Sequence, residues 1–155
     1  MGLLDGLSMK RVTTENGADM QFWTLCKIYV LMIPVFFVLD MLWLGIVAKG
    51  FYQSRLGGLL SESVNWPAAV IFYLLFLAGL LFFVVLPAAA QDSLVQGLLR
   101  GLFFGLITYA TYDLTNLATL KNWSLSLSLV DILWGMILSA AVGTAGLGFA
   151  RWLGA

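Results

Sequence analysis

Residues 67–86 read PAAVIFYLLFLAGLLFFVVL, a run of 20 residues without one charged group. Its only polar side-chain atom is the hydroxyl of Tyr73. Crossing about 30 Å of hydrocarbon takes about 20 predominantly apolar residues in a helix, so the run has the length of a membrane span. With no water to satisfy its peptide groups, such a segment must bond its own backbone, and a helix does so. A barrel strand would instead alternate apolar and polar positions over about ten residues, and no such alternation is present. Pro67 suits the first helical turn, where its missing N–H removes no bond.

Working outward, three more segments qualify. Leu25–Val47 is interrupted only by Asp40. Leu98–Leu120 contains Asp113 and Asn116. Leu125–Ala150 contains Asp131. The whole chain agrees, being 155 residues long, 61% hydrophobic and only 10% charged, with a mean hydropathy of +0.97. A soluble domain carries about 25% charged residues; this chain has too few to cover a water-facing surface. The expected fold is all-α, an integral membrane four-helix bundle with antiparallel neighbours and the lipid bilayer as its surroundings. It divides into a polar N-terminal extension over 1–21, expected to be poorly ordered, and a single transmembrane domain over 22–155. No cleavable signal peptide is expected in Met1–Gln21, which has no apolar core of the required length. The membrane pattern begins directly after Met20, which makes Met20 a candidate start alongside Met1.

Four spans place both termini and the Pro87–Gly97 loop on one side. Lys10, Arg11, Lys27, Arg100 and Arg151 fall there, against Lys49, Arg55 and Lys121 opposite. The positive-inside rule then favours cytoplasmic termini, with an inner (cytoplasmic) membrane as the expected location. Between the first two spans, Phe51, Tyr52, Leu56, Leu59 and Leu60 recur at helical spacing among Gln53, Arg55 and Ser61. That pattern fits a short amphipathic segment lying in the interface; an aromatic-anchored loop is the alternative.

Several function classes are disfavoured. Scattered basic residues form no patch for nucleic acid. Absence of histidine removes the commonest general base and transition-metal ligand. Cys26 is the only cysteine, which leaves no intrachain disulfide or cysteine zinc site. No catalytic residue and no cofactor is assigned.

Small residues recur every four positions as Gly97, Gly101, Gly105 in the third span and Gly135, Ser139, Gly143 in the fourth. Such spacing lets two membrane helices approach closely. Gly97–Gly105 and Ser139–Gly143 fall at matching depth, which favours packing of the third helix on the fourth. A homodimer seam is the rival reading.

The acids are the informative feature. Asp40 and Asp113 each lie about two turns before the end of their spans, and Asp131 lies about two turns after the start of its own. Because the fourth span runs the other way, all three reach one layer roughly 10 Å inside the Lys49/Lys121 interface at 1.5 Å per residue. Tyr73 falls near the same depth. Each acid has a partner three residues on, on nearly the same helix face: Asp40 with Trp43, Asp113 with Asn116, Asp131 with Trp134. Tyr109, Tyr112, Thr115, Ser124 and Ser128 lie nearby. An Asp in the hydrocarbon costs about 2.5–3.5 kcal/mol at the span centre, so three in one layer should face the bundle or a wet cavity. Three readings stay open. The acids can tie helices together through Trp, Tyr, Asn and Ser donors. They can line a polar pocket for a proton, a cation or a small polar solute. They can ligate a hard divalent cation through oxygen or serve as acid and base.

The string Tyr109-Ala110-Thr111-Tyr112-Asp113-Leu114-Thr115-Asn116-Leu117-Ala118-Thr119-Leu120, with Lys121 and Trp123, resembles a small bacterial membrane family, domain of unknown function 2177. Leu39-Asp40, Trp43-Leu44-Gly45, Phe51-Tyr52, Asp131 and Trp134-Gly135 are similar to that family as well. The resemblance covers Lys27 to Gly148. It implies four spans and no particular activity.

Overall fold

The computed structural model describes residues 3–59 and 63–154, with side chains described from Gln21 onward. It is helical throughout, with six helices along the described chain. Helix α1 is Leu3–Leu42, α2 is Lys49–Leu56, α3 is Trp66–Leu80, α4 is Leu86–Ala89, α5 is Leu94–Thr119 and α6 is Leu125–Leu153. The side chains of the extension expected over 1–21 lie almost wholly outside the described residues; its backbone from Leu3 is continuous with α1.

Four stretches are long and apolar enough to cross a bilayer: Gln21–Val47, Trp66–Ala89, Leu94–Thr119 and Leu125–Leu153. All four expected spans are therefore present, each within a few residues of its expected ends. The starts have local causes. Asn65 accepts the Ala68 N–H at 3.2 Å and Ser93 accepts the Gln96 N–H at 3.3 Å, side-chain caps that begin α3 and α5. Two single π-helical turns, Trp43–Val47 and Leu81–Val85, interrupt the first two spans. Sequence periodicity does not reveal them. Ala48 N–H reaches five residues back to Trp43 O at 2.8 Å, and the chain then turns into α2.

Helix α2 is the amphipathic segment expected between the first two spans. Tyr52 and Leu56, one turn apart, are half-buried, while Gln53, Ser54 and Arg55 are exposed. The expected pattern extends to Leu60 and Ser61, which lie outside the described residues.

Helices α5 and α6 form the tightest pair, and small residues explain why. A Cβ built on Gly101 would stand 2.5 Å from Ala140 Cα, and one on Gly105 would stand 2.2 Å from Gly135 O. Either lies well inside contact distance, so the two backbones touch where only glycine fits. Further along the pair, Ser128 Oγ reaches Asp113 O at 3.4 Å. As the contacts climb α5 from Gly101 to Asp113 they descend α6 from Ala140 to Ser128. The second span completes this end: Val84 packs on Gly143, and Val85 with Met32 packs on Gly146. Ile28, Met32 and Phe36 of α1 join Leu77, Leu80, Leu138 and Val142 in one buried cluster. Outward-facing positions are apolar too, with Val30, Ile71, Leu75, Phe82, Phe103 and Leu129 more than half exposed. A surface of that kind suits lipid and not water.

Candidate functional site

Away from the glycine seam the helices separate. A cavity of about 420 Å³ lies among the first span, α2, α3, α5 and α6. The first span contributes Asp40 and Leu44, and α2 contributes Tyr52 and Leu56. Phe72, Tyr73 and Phe76 come from α3, and Thr108, Tyr109 and Tyr112 from α5. Trp123, Leu127, Asp131 and Trp134 complete the wall. Two carboxylates thus sit in a chamber whose other walls are mostly aromatic.

Asp40 is buried, with 5% of its surface exposed. Its Oδ1 accepts from Trp134 Nε1 and its Oδ2 from Tyr73 Oη, both at 3.4 Å. These bonds are long beside the usual 2.7–3.2 Å, so Asp40 keeps acceptor capacity toward the cavity. Trp134 is held from behind by Trp43: the two indoles stack with centroids 4.4 Å apart and planes 6° from parallel. The three-residue spacing of Asp40 with Trp43 therefore works indirectly. Trp43 supports the ring that donates to Asp40.

Asp131 is bonded by a residue outside the expected set. Tyr52 Oη donates to Asp131 Oδ1 and itself accepts from Trp43 Nε1 at 3.3 Å. Burial pushes the Tyr52 phenol above its ordinary value, and the acceptor carboxylate of Asp131 pushes it the same way. Tyr52 therefore remains a donor across the neutral range. The signal for it was present in the pattern of α2, where Tyr52 and Leu56 share a face.

Asp113 stands apart. It is fully buried and does not line the cavity. Its polar neighbours are Asp131 and the Ser128 hydroxyl, both on α6, and neither carboxyl oxygen makes a well-formed hydrogen bond among the described residues. Asn116, on the same face as Asp113, is half-buried and does not reach the cavity. Tyr112 lines the cavity edge but is 59% exposed, packed edge-on against Trp123 at 5.9 Å. Trp123 in turn donates to Ser128 Oγ at 3.0 Å. The hydroxyls of Thr108, Thr111, Thr115 and Thr119 each donate to the carbonyl four residues back, which hides them from lipid.

The three acids thus share a depth but not a centre. Among the described residues no three His, Cys, Asp or Glu side chains are placed to hold a metal ion together. Tyr109 occupies the middle of the arrangement, its ring packed over Gly135 and edge-on to Phe76 at 6.0 Å. Gly135 is small because the Tyr109 ring needs the space: a Cβ there would stand 2.1 Å from Tyr109 Cδ2. Gly97, Gly101, Ser139 and Gly143 belong to the packed half, Gly105 adjoins the wall residue Thr108, and none of the five lines the cavity.

No curated protein matches the chain in sequence, and no solved structure matches it either. One family model does, over residues 25–148, from the first span to near the end of the fourth. The chain belongs to that family, a predicted membrane protein family known as domain of unknown function 2177.

Proposed function

We propose that this protein is a small membrane-embedded binding protein or carrier, and that the chamber holding Asp40 and Asp131 is its binding site for a cation or small polar solute. One observation carries the reading. Two acids in the hydrocarbon layer border a cavity of about 420 Å³ instead of being packed over. Acids kept only to tie helices together gain most from close contact, and a cavity beside them forfeits it. The volume lies in the range of small-molecule sites, about 300–1,000 Å³. Intramembrane acids facing a cavity commonly mark ion or proton pathways.

The chain's location is a multi-pass membrane one. The charge count over its loops supports cytoplasmic termini, which would put the chamber in the opposite half of an inner membrane. Its glycine seam is used within the chain, so a homodimer formed for transport would use another face.

The test is thermal stability of the purified full chain against a panel of cations, in wild type and in Asp131→Asn. A cation-dependent rise that weakens in the folded variant supports the reading. Identical responses from both proteins refute it. Asp113 favours a second, structural reading for itself alone, because it is fully buried off the cavity against Asp131. There its backbone carbonyl ties α5 to α6 by accepting from Ser128 Oγ at 3.4 Å.

A further inference from the structure

The cavity walls distinguish one kind of cation from another. A hard divalent ion takes six or more oxygens at about 2.0–2.6 Å. Here Asp113 is turned away, and the oxygens of Asp40 and Asp131 already accept from Trp134, Tyr73 and Tyr52. The remaining wall is mostly aromatic and aliphatic, and its other side-chain oxygens are the neutral hydroxyls of Thr108 and the tyrosines. Tyr73, Phe76, Tyr109 and Trp134 approach from three helices. A cation clothed in alkyl groups gains from such walls twice, through apolar contact and through the negative faces of the rings. A bare metal ion would exchange its hydration for two carboxylates and neutral hydroxyls on a mostly apolar wall.

The side wall adds a second observation. Helices α3 and α5 meet where the Phe104 ring packs against Phe76, 5.4 Å between centroids, and over Gly79. Among the described residues no ring contact joins α3 to α5 between Trp66 and Tyr73. Phe72 and Tyr112 line the cavity there and are 50% and 59% exposed. Phe72 is six residues into α3, roughly 9 Å inside the interface at 1.5 Å per residue. The opening therefore faces hydrocarbon. Toward water, α2 turns Tyr52 and Leu56 across the chamber.

We propose that the chamber binds an alkylammonium group, and that the gap between α3 and α5 admits the hydrocarbon chain of one that carries a tail. The inference rests on the chamber being a binding site. Its chemistry is shared by a free quaternary ammonium ion and by the amine headgroup of a lipid.

The experiment uses the full chain in nanodiscs of phosphatidylglycerol. Choline is compared with 3,3-dimethylbutan-1-ol, its uncharged isostere, and with potassium and magnesium. Choline should raise the melting temperature while the isostere, potassium and magnesium do not. Asp131→Asn, verified as folded by circular dichroism, should weaken choline binding about tenfold or more. Stabilisation by potassium or magnesium without choline overturns the ammonium assignment and leaves the binding site standing. No response to any of the four overturns both. Equal responses to choline and its isostere reduce the chamber to an apolar cavity and also overturn the assignment. A second arm extracts the protein from vesicles of phosphatidylglycerol mixed with phosphatidylcholine and phosphatidylethanolamine, and identifies retained lipid by mass spectrometry. Enrichment of the amine-headed lipids, lost in Asp131→Asn, assigns the lipid source. Retained lipid at the bulk composition, with choline still bound, assigns the free ion and overturns the role of the lateral gap.

Discussion

The hydroxyl of Tyr52 donates to the carboxylate of Asp131, 79 residues further along the chain. This bond fastens the interfacial helix α2 to the polar end of α6, and Trp43 joins it by donating to the same hydroxyl. Removing the hydroxyl in Tyr52→Phe takes a donor from Asp131 and an acceptor from Trp43. The expected cost is about 1 kcal/mol, concentrated in the docking of α2. Trypsin should then cut faster after Arg55, which is exposed on that helix. An unchanged cleavage rate would mean that α2 is held by its apolar contacts alone.

The same phenol sets a pH dependence. Its value in the folded protein lies above the ordinary 10.0, chiefly through burial. A group whose folded value is raised contributes stability that is complete below its unfolded value and is lost as pH rises through the folded one. Tyr52 should therefore hold α2 unchanged from neutral pH up to about 10 and release it above. Limited proteolysis in alkaline buffer measures this, with Tyr52→Phe as the control that lacks the step. Release of α2 between pH 7 and 9 in wild type alone would contradict the assignment.

Glycines of this chain divide into two kinds. Gly105→Ala would drive a Cβ into the Gly135 carbonyl, whereas Gly148→Ala meets nothing within 4 Å on the outer face of α6. The first should destabilise by about 1–3 kcal/mol. The second should be neutral or stabilise by up to about 1 kcal/mol through helix propensity. Melting temperatures of the two variants in one detergent provide the comparison; equal shifts would exclude glycine contact as the basis of the α5–α6 seam.

Asp113 is fully buried beside Asp131 and Ser128 of α6, and its carboxyl makes no well-formed hydrogen bond among the described residues. In Asp113→Asn the amide supplies a donor to Asp131 at nearly the same shape. That variant should match or exceed the wild-type melting temperature. Asp113→Leu supplies none and should fall below it by about 1–3 kcal/mol. Loss of stability in the Asn variant equal to that in the Leu variant would rule out a donor-seeking contact at this position.

Much of this was legible in the sequence, for identifiable reasons. Span length and the absence of charge depend only on hydrocarbon thickness, so all four spans could be read within a few residues. The common depth of Asp40, Asp131 and Tyr73 follows from counting along helices of alternating direction, and the structure brings Tyr73 and Asp40 into contact. Counting gives depth but not azimuth. Asp113 is buried off the chamber beside Ser128 of α6, and the half-buried Asn116 does not line the chamber either. The π-helical turn at Trp43–Val47 shifts helical phase locally without a residue-type signature. It leads into α2, whose Tyr52 reaches back into the bundle. Aromatic residues such as Phe72, Phe76 and Trp123 look like ordinary lipid-facing or interfacial groups until their neighbours are known.

We assign the chamber of Asp40 and Asp131 to an alkylammonium cation. Equilibrium dialysis of the full chain in nanodiscs against labelled tetramethylammonium tests it most directly. The account predicts saturable retention approaching one ion per chain, abolished in a folded Asp40→Asn/Asp131→Asn double variant. Retention no greater than that of protein-free nanodiscs, or equal retention by the double variant, would contradict it.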